Sequence, residues 1–188
     1  MGNNRNSKRA AWLAQAALML VLLYVVQLIT IANIPLLGQI ITGSLVNLVL
    51  IVAGGSIGLS ASIVAAISSP AFAFLMGKMA FAQMIPVIAA GNVIIVVVAW
   101  AFFRNRHRIT FGMIADVGGI VFGAVAKWLF LWGATLWIML PVVFGGEQTV
   151  ASKLGLMFSW PQLVTALIGG VLALFVLPAI RSYNNKRG

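Results

Sequence analysis

Long apolar runs alternate with short polar or basic punctuation from one end of the chain to the other. The apolar runs occupy 10–31, 40–53, 57–76, 84–103, 110–141 and 160–178. About 20 apolar residues suffice to cross a bilayer as a helix, so the pattern predicts an all-α integral membrane protein with six transmembrane helices in one domain, 1–188. Punctuation sets the boundaries. Pro35 and Gly38 interrupt 32–39, which reads as a short, rather apolar loop able to fold over a cavity. Gly54-Gly55-Ser56 closes the short second run, and Pro70 is expected to kink or end the third. Residues 77–83 read as a turn, Arg104-Asn105-Arg106-His107-Arg108 as a basic loop, and 145–153 as an exposed polar loop with room for a short helix before Phe158. The first run is too long for a signal-peptide core and lacks a small-residue cleavage site, so an uncleaved first helix is expected.

One residue breaks the pattern of the fifth run. Lys127 stands near its middle, in Gly123-Ala124-Val125-Ala126-Lys127-Trp128-Leu129. A charge deep in a bilayer costs roughly 3 kcal/mol on insertion scales, so such a side chain faces a protein interior, a polar cavity or a ligand, snorkels, or finds a carboxylate. At helical spacing Gly123, Ala124, Phe130 and Leu131 share its face, with Trp128, Trp132 and Thr135 on a neighbouring stripe. Asp116 precedes it by eleven residues, roughly 16 Å along a helix axis, too far for direct pairing. Lys127 is therefore the first candidate for contact with a bound molecule.

Composition excludes a soluble domain. The chain is 62% hydrophobic and 7% charged, with mean hydropathy +1.10, whereas soluble domains carry about a quarter charged residues. A net charge of +10 would suit a nucleic-acid binder, but the basic residues fall in short clusters between apolar runs. That distribution follows the positive-inside rule, so the expected partner is the bilayer and not nucleic acid. Three Lys or Arg precede the first run, three lie in 104–108 and three in the tail, against only Lys78 and Lys153 on the opposite side of a six-span topology. Both termini are thereby expected in the cytoplasm, with Lys127 at or just beyond the midplane toward the outside.

Several chemistries fall away. With no cysteine, one histidine and two acids, disulfides, thiolate sites and an ordinary protein-only metal site are not expected. Neither a phosphate-cradling Gly-x-x-x-x-Gly-Lys-Ser/Thr loop nor a His-Glu-x-x-His or Gly-x-Ser-x-Gly signature occurs. His107 reads as a solvated neighbour of arginines. Neither an enzyme nor a cofactor is expected, leaving transport, binding or scaffolding within a membrane.

A set of short stretches spreads over nearly the whole chain: Thr42-Gly43-Ser44-Leu45-Val46-Asn47, Ile85-Pro86 through Gly91-Asn92, Ala126-Lys127, Phe158-Ser159-Trp160-Pro161-Gln162-Leu163 and Thr165-Ala166-Leu167-Ile168-Gly169-Gly170. In these, and in its length and span number, the chain resembles the bacterial substrate-binding S-components of energy-coupling factor (ECF) type vitamin transporters. The resemblance implies a compact six-helix bundle in the plasma membrane that captures a vitamin or related micronutrient on the outer side. It further implies a shared transmembrane coupling subunit and two ATPase subunits as partners, which would account for the missing nucleotide motif. Family members carry an Ala-x-x-x-Ala motif in the first helix for docking on the coupling subunit, and Ala10 with Ala14 supplies one instance. Small residues four apart permit close helix contact in lipid.

By the same resemblance, the pocket is expected among the outer halves of spans four to six, under the loop joining the first two. Lys127 would receive a carboxylate or another acceptor, Trp128 or Trp132 would stack on a planar ring, and Asn92, Trp160 and Gln162 would fix ring polar atoms, with Asn47 a further candidate. For each neutral polar residue the alternative is an interhelical hydrogen bond, and for each tryptophan it is packing or an interfacial belt. Pyridine carboxylates, pyrimidines, pantothenate-like acids and flavins all remain open as substrates. Two other readings compete: a secondary transporter using Asp116 and Lys127 in a proton path, and a structural membrane subunit without ligand. Scarcity of acids and lack of an inverted repeat weigh against the first.

Overall fold

A computed structural model describes residues 2–29, 35–104 and 112–185, and every regular element among them is helical. In chain order these are α1 (Gly2–Leu28), α2 (Pro35–Ser56), α3 (Leu59–Leu75), α4 (Ile85–Ala99), α5 (Gly112–Ala134), α6 (Gln148–Phe158) and α7 (Trp160–Asn185). A single 3₁₀ turn, Ala82–Met84, leads into α4. Both α4 and α5 continue as π-helical segments, Trp100–Arg104 and Thr135–Val143. Five stretches are long and apolar enough to cross a membrane: Arg9–Leu28, Leu36–Ser56, Ala82–Phe103, Met113–Val143 and Gln148–Ile180. The third apolar run forms the shorter helix Leu59–Leu75. These helices fit a multi-pass membrane protein.

Several boundaries differ from the sequence expectation, each for a local reason. Helix α2 starts at Pro35, five residues ahead of the expected 40, and takes in Gly38. Proline suits a first helical position because its missing N–H would have no intrahelical partner there. Residues 32–34 of the expected loop lie outside the described residues, as do 30–31 and 105–111 with His107. Pro70 sits inside α3 without ending it. The short helix expected before Phe158 is present and takes up most of 145–153: Gly145 and Gly146, at φ 60° and 74°, make a turn, and α6 begins at Gln148. Val150, Leu154 and Phe158 recur every fourth residue and bury one face of that helix. Phe130, expected beside Lys127, is 37% exposed, whereas Ala124 and Leu131 are fully buried.

Two glycines set the distances that matter for the site. A Cβ at Gly169 would lie 2.6 Å from the Ser44 carbonyl oxygen and 2.8 Å from the Leu48 backbone nitrogen, so α7 and α2 touch backbone to backbone. A Cβ at Gly91 would lie 2.8 Å from the Leu131 side chain, which brings α4 onto α5 one helical turn from Lys127. Around these contacts Leu50, Ile51, Val96, Ala99, Phe103, Ile120, Ala173 and Leu177 form the main apolar core. Helix α1 packs on α2 and α3 and leaves Trp12, Leu13, Leu18 and Val21 exposed, as suits a helix against lipid.

Candidate functional site

Lys127 is 3% exposed, and its ammonium is held by two asparagines. Nζ donates to Oδ1 of Asn47 on α2 at 2.6 Å and to Oδ1 of Asn92 on α4 at 2.8 Å. Both acceptors are neutral amides, so the charge is solvated by dipoles rather than paired with a carboxylate. The orientation of each amide follows from its other end. Asn47 Nδ2 donates to Thr165 Oγ1 at 3.3 Å, and Thr165 Oγ1 in turn donates to the Gln162 carbonyl at 3.0 Å. Asn92 Nδ2 donates to the Ala66 carbonyl at 3.4 Å. That carbonyl lies four residues before Pro70, which has no N–H to offer it within α3. Lys127, Asn47, Asn92 and Thr165 thus form one network across α2, α3, α4, α5 and α7.

This network forms part of the wall of a cavity of about 500 Å³, a size typical of small-molecule sites. Lys127, Asn47 and Asn92 all line it. Helix α1 contributes Gln27, and the first turns of α2 contribute Leu36, Gly38, Gln39 and Thr42. Ser69 and Pro70 come from α3, Lys78 and Met79 from the turn after it, and Met157, Phe158 and Gln162 from the junction of α6 with α7. Apolar surface dominates the lining, with a few directed polar groups. Lys78, half-buried, donates to the Ile29 carbonyl, and Thr42 Oγ1 donates to the same oxygen at 3.4 Å.

The expected site residues therefore divide. Lys127, Asn47, Asn92 and Gln162 are brought together on the cavity. Trp128, Trp132 and Trp160 are not among its lining residues. Trp128 and Trp132 stack on each other at 6.2 Å between ring centroids, and Trp132 and Trp160 are 41% and 48% exposed. The aromatic ring in the lining is instead Phe158. Asp116 is buried on α5 but does not line the cavity. Ala10 and Ala14 both face outward on α1. Sequence reasoning passed over Gln27, Gln39, Ser69 and Lys78 as site residues. Their only signal is polarity at or near the ends of apolar runs, where polar residues are ordinary.

Among the described residues no cluster of His, Cys, Asp or Glu could hold a metal ion. The arrangement can bind and orient a small molecule. No protein-family model, curated protein or solved structure matches the chain. The functional reading therefore rests on the fold class, a multi-helix membrane-type bundle, and on a cavity with Lys127 buried in its wall.

Proposed function

We propose that this chain is the substrate-binding S-component of an ECF-type importer in a bacterial plasma membrane. In this reading it captures a small vitamin or related micronutrient on the extracellular side. It then delivers the substrate by docking on a transmembrane coupling subunit served by two ATPases. The observation that carries the reading is the cavity of about 500 Å³ with Lys127 held in its wall. A buried, hydrogen-bonded cation in a cavity wall is expensive in a purely structural subunit and useful in a binder. The basic clusters support six spans with both termini in the cytoplasm. Outward-facing Ala10 and Ala14 offer α1 a surface of small residues for helix docking.

The test has two arms. Small molecules that co-purify with the protein are identified by mass spectrometry and titrated back, and the protein is co-expressed with ECF coupling and ATPase subunits in liposomes. Uptake that requires ATP hydrolysis, and that is lost in Ala14→Trp while binding persists, supports capture followed by docking. Uptake by this chain alone, driven by a proton gradient, would sink the reading in favour of the secondary transporter. A folded sample that binds nothing at micromolar concentration would leave the structural subunit.

A further inference from the structure

The polar groups of the cavity wall have directions, and the directions define what can fill it. Gln27 Nε2 donates to the Ser69 carbonyl at 2.9 Å and to Ser69 Oγ at 3.3 Å. A carbonyl only accepts, so the nitrogen must be the end at Ser69 and Oε1 the other end. Gln27 is 2% exposed and lines the cavity, yet its Oε1 has no hydrogen-bond partner. A buried acceptor without a donor is costly, and a bound molecule toward which the side chain turns can supply one. Gln39 and Gln162 repeat the arrangement, each donating Nε2 to the Met157 carbonyl, at 2.8 and 3.2 Å.

Charge points the same way. An ammonium has three donors, and the two asparagines take two of those on Lys127. Lys78 adds a second cation to the lining. The only acids of the chain, Asp116 and Glu147, do not line the cavity. A cavity with two cations and no carboxylate in a low-dielectric surrounding favours an anion and disfavours a cation. The two features also lie close together. Asn92, which holds Lys127, bonds to the Ala66 carbonyl, and Gln27 bonds to Ser69, one turn further along α3.

Building on the capture reading above, we infer that the substrate is a small organic anion bearing a carboxylate and at least one amide N–H or hydroxyl donor. Its anionic oxygens take the third donor of Lys127, and its N–H or O–H satisfies Gln27 Oε1. Phe158, Ile88 and Val46 enclose its apolar part.

Acid and neutral versions of the same compound provide the test on the unaltered protein in nanodiscs. The probes are pantothenate with pantothenol, biotin with biotinamide, and nicotinate with nicotinamide, alongside cationic thiamine and neutral riboflavin. We expect a donor-bearing acid to bind, its uncharged counterpart to bind roughly 100-fold more weakly, and Gln27→Leu to weaken the acid about tenfold. That variant leaves the asparagines on Lys127 untouched, and its melting temperature reports whether it is folded. Equal binding of acid and neutral forms, or tight binding of thiamine or riboflavin alone, overturns the anion assignment and leaves capture standing. Affinity for the acid unchanged in folded Gln27→Leu overturns the donor assignment. If no probe binds and no small molecule co-purifies with folded protein, capture itself fails and the substrate class goes with it.

Discussion

Asn92 takes up the hydrogen bond that Pro70 leaves open. Pro70 cannot donate to the Ala66 carbonyl, and Asn92 Nδ2 reaches that oxygen at 3.4 Å from α4. The amide is thereby turned so that its Oδ1 faces Lys127 at 2.8 Å. A helix defect on α3 thus orients a ligand for the cation on α5. Pro70→Ala restores a donor within α3 and competes with Asn92. We expect thermal stability to hold or rise while substrate binding weakens about fivefold, a loss of roughly 1 kcal/mol. Titration and thermal unfolding on the same samples check it, and unchanged affinity would show that Pro70 has no part in orienting Asn92.

Lys127→Ala removes the cation and leaves two amide oxygens facing a void. Loss of a desolvated charge contact predicts substrate binding weaker by about 2 kcal/mol or more. Titration of the wild type and the variant decides it, with melting temperature as the control for folding. Binding untouched by the change would keep capture and remove Lys127 from the site.

Gly169→Ala would drive a methyl against backbone atoms of α2, the Ser44 oxygen and the Leu48 nitrogen, neither of which can yield like a flexible side chain. Destabilisation of roughly 1–3 kcal/mol is expected. Gly133→Ala is the matched control: a Cβ there meets nothing within 4 Å, and replacing a helical glycine should stabilise by about 0.5–1 kcal/mol. Opposite shifts in melting temperature are the predicted result.

Asp116→Asn separates capture from proton transport. Asp116 lies off the cavity wall, so capture predicts substrate affinity within about twofold of wild type, a change under roughly 0.5 kcal/mol. A proton carrier would instead lose gradient-driven uptake.

Topology can be read directly because the chain has no cysteine. Single cysteines at Ser7 and at Ser152 should react with a membrane-impermeant maleimide from opposite sides, Ser7→Cys only in opened cells and Ser152→Cys in intact ones. Labelling of both from one side would contradict the six-span arrangement.

Hydropathy alone made the helical class and most of the helix positions legible, because helix formation in apolar surroundings is a property of a local run of residues. The oddity of Lys127 was legible for the same reason: a charge inside such a run is a local anomaly. Local rules failed where neighbours decided the outcome. Pro35 opens α2 instead of breaking it, and the short helix before Phe158 begins as early as Gln148 because Val150, Leu154 and Phe158 find a core. Asn47 and Asn92 were candidates beside Lys127 in the sequence, but that they hold its ammonium was beyond sequence reasoning. Asn47 and Asn92 stand 80 and 35 positions from Lys127, and Thr165 stands 118 beyond Asn47. They meet only because Gly169 lets α7 touch α2 and Gly91 lets α4 close on α5. The cavity, and the choice of Phe158 over the tryptophans for its wall, belongs to that tertiary packing. Whether a polar side chain faces a void, a partner or lipid is set by which helices approach, and that depends on contacts between distant segments that no single run encodes.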